Sequence, residues 1–288
     1  MTSVRETDLA EAIVRLRVAG CVFAEDEAAV LGEAAADTET LWDMVRRRAD
    51  GEPLEQVVGY ADFCGVRVRL RPAVFVPRVR SELLVTLATA EATDRTIRTE
   101  QSTERRSLDA RPDEPDPKAN TCVVVDLCCG SGALGMAVRH RVPGIDLHAA
   151  DSDPAAVACA RDNLGGNVYQ GDLFGALPEQ LRGRIDVLLA NVPYVATRHI
   201  AFLPAEARVH EPHTALDGGE DGLDVFRAAV SEAVAWLAPG GLLLSEITTD
   251  QIAPATEAVR AAGLHPAIHA DDDLEATVVT ATRAHRQP

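Results

Sequence analysis

The chain reads as an α/β protein: a doubly wound, mostly parallel sheet preceded by a small helical module. Three observations predict this. From Thr121 onward short apolar strands alternate with helical segments. The first of those strands runs into a glycine-rich loop that opens a helix, the usual entry to a ligand-binding crevice. Residues 7–50 carry only helical periodicity, and a length of 288 residues allows about two domains at roughly 150 residues each.

In chain order, Thr7 is placed to cap a first helix whose Leu9, Ile13 and Leu16 share one face, with Gly20 after its end. A second helix is expected from about Glu25 to Ala36, and a third from Thr38 to Ala49, burying Leu41, Trp42 and Val45. Residues 1–52 therefore form a helical module. After Pro53 the period becomes two: Val66, Val68 and Leu70 alternate with Arg67, Arg69 and Arg71, as in a hairpin strand with one wet face. A helix from Ser81 to Ala90 completes a unit at 53–90. Residues 91–120 hold almost no large apolar side chain and read as a solvated linker or insertion. The remainder, 121–288, supplies strands at Cys122–Leu127, Ile145–Ala150, Asn167–Gln170, Ile185–Ala190 and Leu242–Ile247. Helices are expected at Ala133–His140, Pro154–Leu164 and Gly222–Leu237, and Ala276–Thr282 is a candidate late antiparallel strand.

Composition removes several kinds of chemistry. The single lysine, Lys118, sits in a proline-rich stretch, which leaves no Schiff-base lysine and no GK[ST] phosphate loop. Six cysteines form no zinc-type spacing and read as free thiols, mostly buried. A net charge of −17 disfavours non-specific binding to nucleic acid. No apolar run reaches the ~18 residues that a membrane span needs, and the first ten residues lack a signal-peptide pattern, so the expectation is a soluble cytoplasmic protein without a membrane partner.

The chemistry-bearing residues lie at strand ends. Gly130, Gly132 and Gly135 in DLCCGSGALG satisfy G-x-G-x-x-G between a strand and a helix. Asp151 ends the next strand about 20 residues on, where a carboxylate can accept both hydroxyls of a ribose; its structural alternative is a helix cap. Glycines and acid together suit a dinucleotide or S-adenosylmethionine. Asn191-Val192-Pro193-Tyr194 follows the apolar strand at 185–190. An Asn oxygen beside a backbone carbonyl presents two acceptors that can take both hydrogens of a planar NH2 group. Pro193 holds Val192 extended, and the Tyr194 ring can pack on that group. His210-Glu211-Pro212-His213 has the look of a metal pair but lacks HExxH spacing, and the acid run Asp271–Asp273 reads as a solvated loop.

These motifs sit within a longer resemblance. GEPLEQVVGYADFCGVRVRL, FVPRVRSELLV, VVDLCCGSGALG, ADSDPAAVACARDNL, GDLFGAL, NVPYV, HEPHTALDGGEDGLDVFRAAV and LAPGGLLLSE occur in the order found in the HemK/PrmC-type protein-glutamine methyltransferases, which modify peptide-chain release factors. The chain resembles that family over most of its length. It departs at Val192, where the family has Pro, and at Cys128, where the family has its first loop glycine. In the PR-P-E-T-E-like block Pro77, Arg78 and Glu82 are kept, whereas Val79, Arg80 and Ser81 are not, and the charge at Arg80 is reversed.

The resemblance implies a class I, Rossmann-like S-adenosylmethionine-dependent methyltransferase. It implies cofactor contacts from Asp126, Cys128, Gly130, Gly132, Asp151, Asp172, Leu173 and Asn191, and catalysis by Asn191, Val192, Pro193 and Tyr194. The expected reaction moves a methyl group to the amide nitrogen of a protein glutamine in a release factor, with the helical module docking that protein. Three alternatives stay open at this level: another amino or amide substrate, a nicotinamide-dependent oxidoreductase, and a non-catalytic cofactor-binding regulator.

Overall fold

The computed structural model describes residues 4–109 and 121–285. Three helices, α1 (Glu6–Val18), α2 (Ala24–Ala34) and α3 (Thr38–Ala49), with the short α4 (Leu54–Val58), enclose a core of Ala12, Leu16, Leu31, Leu41, Val45 and Val57. The start of α1 differs from expectation: Thr7 lies inside the first turn, and the Arg5 N–H donates instead to the Asp8 carboxylate at 3.1 Å. An acid at that position meets both an unpaired N–H and the positive end of the helix, which a threonine one turn residue earlier cannot do.

The alternating segment forms the hairpin β1 (Tyr60–Phe63) and β2 (Val66–Arg69), with Val66 and Val68 buried and Arg67 and Arg69 exposed. The expected linker is corrected in part. α5 runs from Glu82 to Asp109 and does not stop at Ala90. Ala88 and Ala92 are fully buried, while Arg95 donates to the carbonyls of Pro239 and Gly240 and pairs with Glu91 and Asp186. The first turns of α5 bury Leu84 and Val85, but among the described residues beyond Ala90 the buried apolar side chain is Ala92, so a search for large apolar residues misses the extension. Residues 110–120 lie outside the described residues.

From 121 the elements are β3 (Val123–Leu127), α6 (Ala133–Arg141), β4 (Asp146–Asp151), α7 (Pro154–Leu164), β5 (Val168–Gln170), β6 (Ile185–Ala190), α8 (Ala205–His210), α9 (Asp224–Trp236), β7 (Leu237–Ile247), α10 (Ile252–Ala261), β8 (His265–Asp271) and β9 (Ala276–Thr282). The sheet order is β5-β4-β3-β6-β7-β9-β8, with β9 antiparallel to both of its neighbours. β9 falls where Ala276–Thr282 was expected; β8 was not expected. β8 is an edge strand, mostly exposed and with Pro266 as its second residue, so it shows no apolar alternation to read.

Apolar residues cover both faces of the sheet. Val124, Val187, Leu189 and Leu244 pack with α5 and α6 on one side; Val125, Leu188 and Leu243 pack with α9, through Phe226, and with α10 on the other. Strands buried on both faces read as continuous apolar runs, which is why β3 and β6 were legible. The parallel strands β3, β4 and β6 place their carboxyl ends on one edge, at a switch point where β3 has β4 on one side and β6 on the other. The acid run is settled as a turn: Asp271 Oδ1 accepts the Asp273 and Leu274 N–H groups.

Candidate active site

The cleft of about 230 Å³ at this edge is lined by the 128–131 loop, Asp151–Asp153, Gly171–Leu173, Asn191–Tyr194 and the 73–81 segment. The loop after β3 turns through the left-handed region at Cys128 (φ 56°) and Gly130 (φ 55°). Glycine adopts that conformation freely, whereas a side chain costs about 1–2 kcal/mol there, which accounts for the glycine that the resembled family carries where this chain has Cys128. Burial and nearby carboxylates push the Cys128 thiol up to about 12, so it is a neutral lining group and not a nucleophile.

Asp151 closes β4 in the cleft. Its Oδ2 accepts the Gly130 N–H at 2.8 Å and its Oδ1 accepts the Asp153 N–H at 2.9 Å, so loop and carboxylate fix each other. The cap of α7 is Asp153, which accepts the Ala155 N–H. That frees Asp151 from the alternative role of helix cap. Asp126 and Gly132 do not line the cleft. Asp126 lies buried behind the loop, with Oδ2 accepting the Gly135 N–H at 2.9 Å and Oδ1 unpartnered; burial raises it to about 7 against that hydrogen bond. Gly132 caps α6 at a φ of 77°, in the left-handed region, and a Cβ there would also come within 2.9 Å of Leu164, so backbone conformation and the packing of α6 on α7 both call for glycine.

At the end of β6, Asn191 donates through Nδ2 to Ser81 Oγ at 3.2 Å, while its Oδ1 is buried without a partner. Val192 is buried in the core. The Tyr194 hydroxyl donates to Glu246 Oε1 at 2.5 Å, and the Arg80 guanidinium lies over the Tyr194 ring, 5.7 Å from its centroid. Burial and the Glu246 charge raise the Tyr194 hydroxyl well above its usual range, so it stays protonated. The 191–196 turn is clasped by the Gly218–Gly222 loop. Gly218 N–H donates to the Val195 carbonyl, and a Cβ at Gly222 would lie 2.2 Å from the Tyr194 carbonyl oxygen. The Gln251 side chain bridges the Tyr194 and Asp221 carbonyls.

Sequence reasoning assigned no role to Ser81, Glu246, Gln251 or the Arg78–Glu211 pair. Glu246 and Ser81 lie inside recognised blocks, but which side chains they meet across the chain carries no local pattern. Glu211 of the apparent metal pair accepts from Arg78 and from the Val76 N–H, which occupies it structurally. Among the described residues no three metal-ligating side chains converge.

The cleft suits S-adenosylmethionine. A Cβ at Gly130 would meet nothing within 4 Å, so the backbone there faces open space, and Asp151 and Asp172 bring carboxylates to a cleft that would hold a cationic ligand. A parallel sheet with one antiparallel strand next to the edge, a glycine loop, a strand-end acid and an Asn-x-Pro-Tyr turn define a class I methyltransferase. Residues 115–225 match the family model described as "Methyltransferase small domain". The chain is 34% identical over 236 residues to the release factor glutamine methyltransferase of Moorella thermoacetica, covering 81% of this chain and 75% of that protein. It is 36% identical over 225 residues to a 4-amino-L-phenylalanine/4-methylamino-L-phenylalanine methyltransferase of Streptomyces pristinaespiralis, covering 77% and 70%. The catalytic domain of hMettl16, solved with a MAT2A 3'UTR hairpin, shares the fold at a TM-score of 0.51 and 12% identity, over 91% of this chain and 83% of that one. The chain belongs to the release factor glutamine methyltransferase family.

Proposed function

We propose that this enzyme methylates the side-chain amide nitrogen of a glutamine in a peptide-chain release factor, in the cytoplasm. The observation that carries the reading is the buried, unpartnered Oδ1 of Asn191 at the cleft, an acceptor whose natural complement is a substrate N–H. When bound, S-adenosylmethionine supplies an electrophilic methyl group; the glycine loop, Asp151 and the Asp172–Leu173 turn would hold it.

A glutamine amide nitrogen is a poor nucleophile because its lone pair is delocalised into the carbonyl. The chain's own contribution is orientation and polarisation: Asn191 Oδ1 and the Val192 carbonyl accept both N–H groups, and the nitrogen is presented toward the methyl position. A substrate protein recognised by such a surface need not be basic throughout, but a net charge of −17 argues against a nucleic-acid substrate. Incubation with a purified release factor and labelled cofactor, followed by peptide mass spectrometry, tests the reading. One methyl group on a glutamine is expected; labelled release factor with no modified glutamine would reject it.

A second reading, methylation of an aromatic amine on a free amino acid, is favoured by the 4-amino-L-phenylalanine relative. The same two acceptors would hold an arylamine NH2. Turnover of 4-amino-L-phenylalanine in preference to release factor would select it.

A further inference from the structure

Asn191 presents a side chain with two chemically opposite ends, and only one of them can accept from a substrate NH2. Its Nδ2 donates to Ser81 Oγ at 3.2 Å, and Ser81 Oγ donates to Glu246 Oε2 at 2.7 Å. Glu246 Oε1 accepts from Arg80 Nε at 2.7 Å and from the Tyr194 hydroxyl. Ser81 and Glu246 are 3% and 2% exposed. Three separate segments, the turn before α5, the end of β6 and the end of β7, thus meet in one buried network.

The direction of this network is dictated from one end. An ion-paired carboxylate only accepts, so Ser81 and Tyr194 must both donate to Glu246. The serine hydroxyl has a single hydrogen, already committed, so its oxygen can only accept from Asn191. That requires the NH2 end of the amide to face Ser81 and leaves Oδ1 toward the cleft. A flipped amide would set two acceptors against each other at Ser81 and turn a donor toward the substrate NH2, losing two contacts at once.

We propose that Ser81 and Glu246 are positioning residues for methyl transfer: through Ser81, Glu246 fixes which end of the Asn191 amide faces the acceptor nitrogen. Arg80 pairs with Glu246 at the far end of this network. The inference rests on the acceptor being an NH2 group, as in the proposed function.

The test compares wild type with Ser81→Thr, Ser81→Ala and Glu246→Gln in release-factor methylation, with calorimetry of S-adenosylmethionine binding alongside. Glu246→Gln introduces an NH2 that can donate to Ser81, so the hydroxyl turns to Asn191 and the amide reverses. The kcat should fall about tenfold or more in Ser81→Ala and Glu246→Gln, the factor set by one hydrogen bond's preference, with KM and cofactor affinity within about threefold. Ser81→Thr keeps the hydroxyl and should keep kcat. Wild-type kcat in Ser81→Ala overturns the proposal, as does a fall that threonine does not rescue and that cofactor affinity follows. A second readout needs no substrate: the Asn191 side-chain NH2 signals in 15N-labelled protein, assigned by their loss in Asn191→Asp. Ser81→Ala should move the hydrogen-bonded proton upfield; unchanged signals overturn the proposal. If wild type leaves release factor unmethylated while that shift occurs, the substrate assignment falls and the amide orientation stands.

Discussion

Arg78 Nη2 lies 2.6 Å from both carboxylate oxygens of Glu211, a residue 133 positions away whose side chain is fully buried. The pair ties the segment leaving the hairpin to the loop after α8, and so sets one wall of the cleft. Removing the arginine strands a buried carboxylate. Arg78→Ala should cost about 3–5 kcal/mol at pH 8. Burial already raises the Glu211 carboxyl above its ordinary value despite Arg78, and without the arginine it rises further. A carboxyl that binds its proton more tightly when folded loses stability as pH rises, so the loss in Arg78→Ala should shrink toward pH 5. Urea denaturation at pH 5 and pH 8 measures this, and a loss equal at both would contradict it.

Asn191→Ala removes the acceptor at the cleft. Methyl transfer should fall about 100-fold or more, the order found when one pre-organised polar contact leaves a reaction centre. Cofactor affinity should change little, because Oδ1 is assigned to the acceptor nitrogen. A radiolabelled transfer assay with parallel calorimetry separates the two effects.

Asp151→Ala should weaken S-adenosylmethionine binding by about 1–3 kcal/mol through lost charge-assisted hydrogen bonds. It should also lower the melting temperature, since the Gly130 and Asp153 N–H groups lose their partner. Calorimetry showing unchanged affinity would assign Asp151 to loop structure alone.

Asp126 is raised to about 7 by burial, against an ordinary carboxyl value of 3.8. The folded state therefore takes up a proton between about pH 4 and pH 7, and this group's contribution to stability declines across that window. Asp126→Asn abolishes the titration. The stability of wild type relative to Asp126→Asn should fall from pH 5 to pH 8 in cofactor-free protein, measured by thermal melts at each pH; a flat difference would contradict the shift.

Arg95 fixes the middle of α5 to the sheet through Asp186 and the Gly240 carbonyl. Arg95→Ala should lower stability by about 1–2 kcal/mol, since it leaves carbonyls and a carboxylate without a donor. A change within experimental error would show that this stretch of helix is only loosely attached.

The doubly wound sheet, the hairpin and the helical module were legible because each rests on a local period: continuous apolar runs in β3 and β6, alternation in β2, one apolar face in α1. The glycine loop, the strand-end Asp151 and the Asn191 turn were legible for a related reason, since each places a distinctive residue type at a fixed distance from a strand end. Where local period was weak, reading failed: beyond Ala90 α5 buries Ala92 and no large apolar side chain among the described residues, and edge strand β8 has no dry face. The separate roles of Asp151 and Asp153 required coordinates, because either acid has the right chemistry for a cap and only backbone geometry chooses between them. The orientation of the Asn191 amide was settled only in three dimensions. Ser81, Asn191 and Glu246 lie more than fifty residues apart in sequence, and the polarity of a buried hydrogen-bond chain is a property of which donors and acceptors meet, not of any one segment.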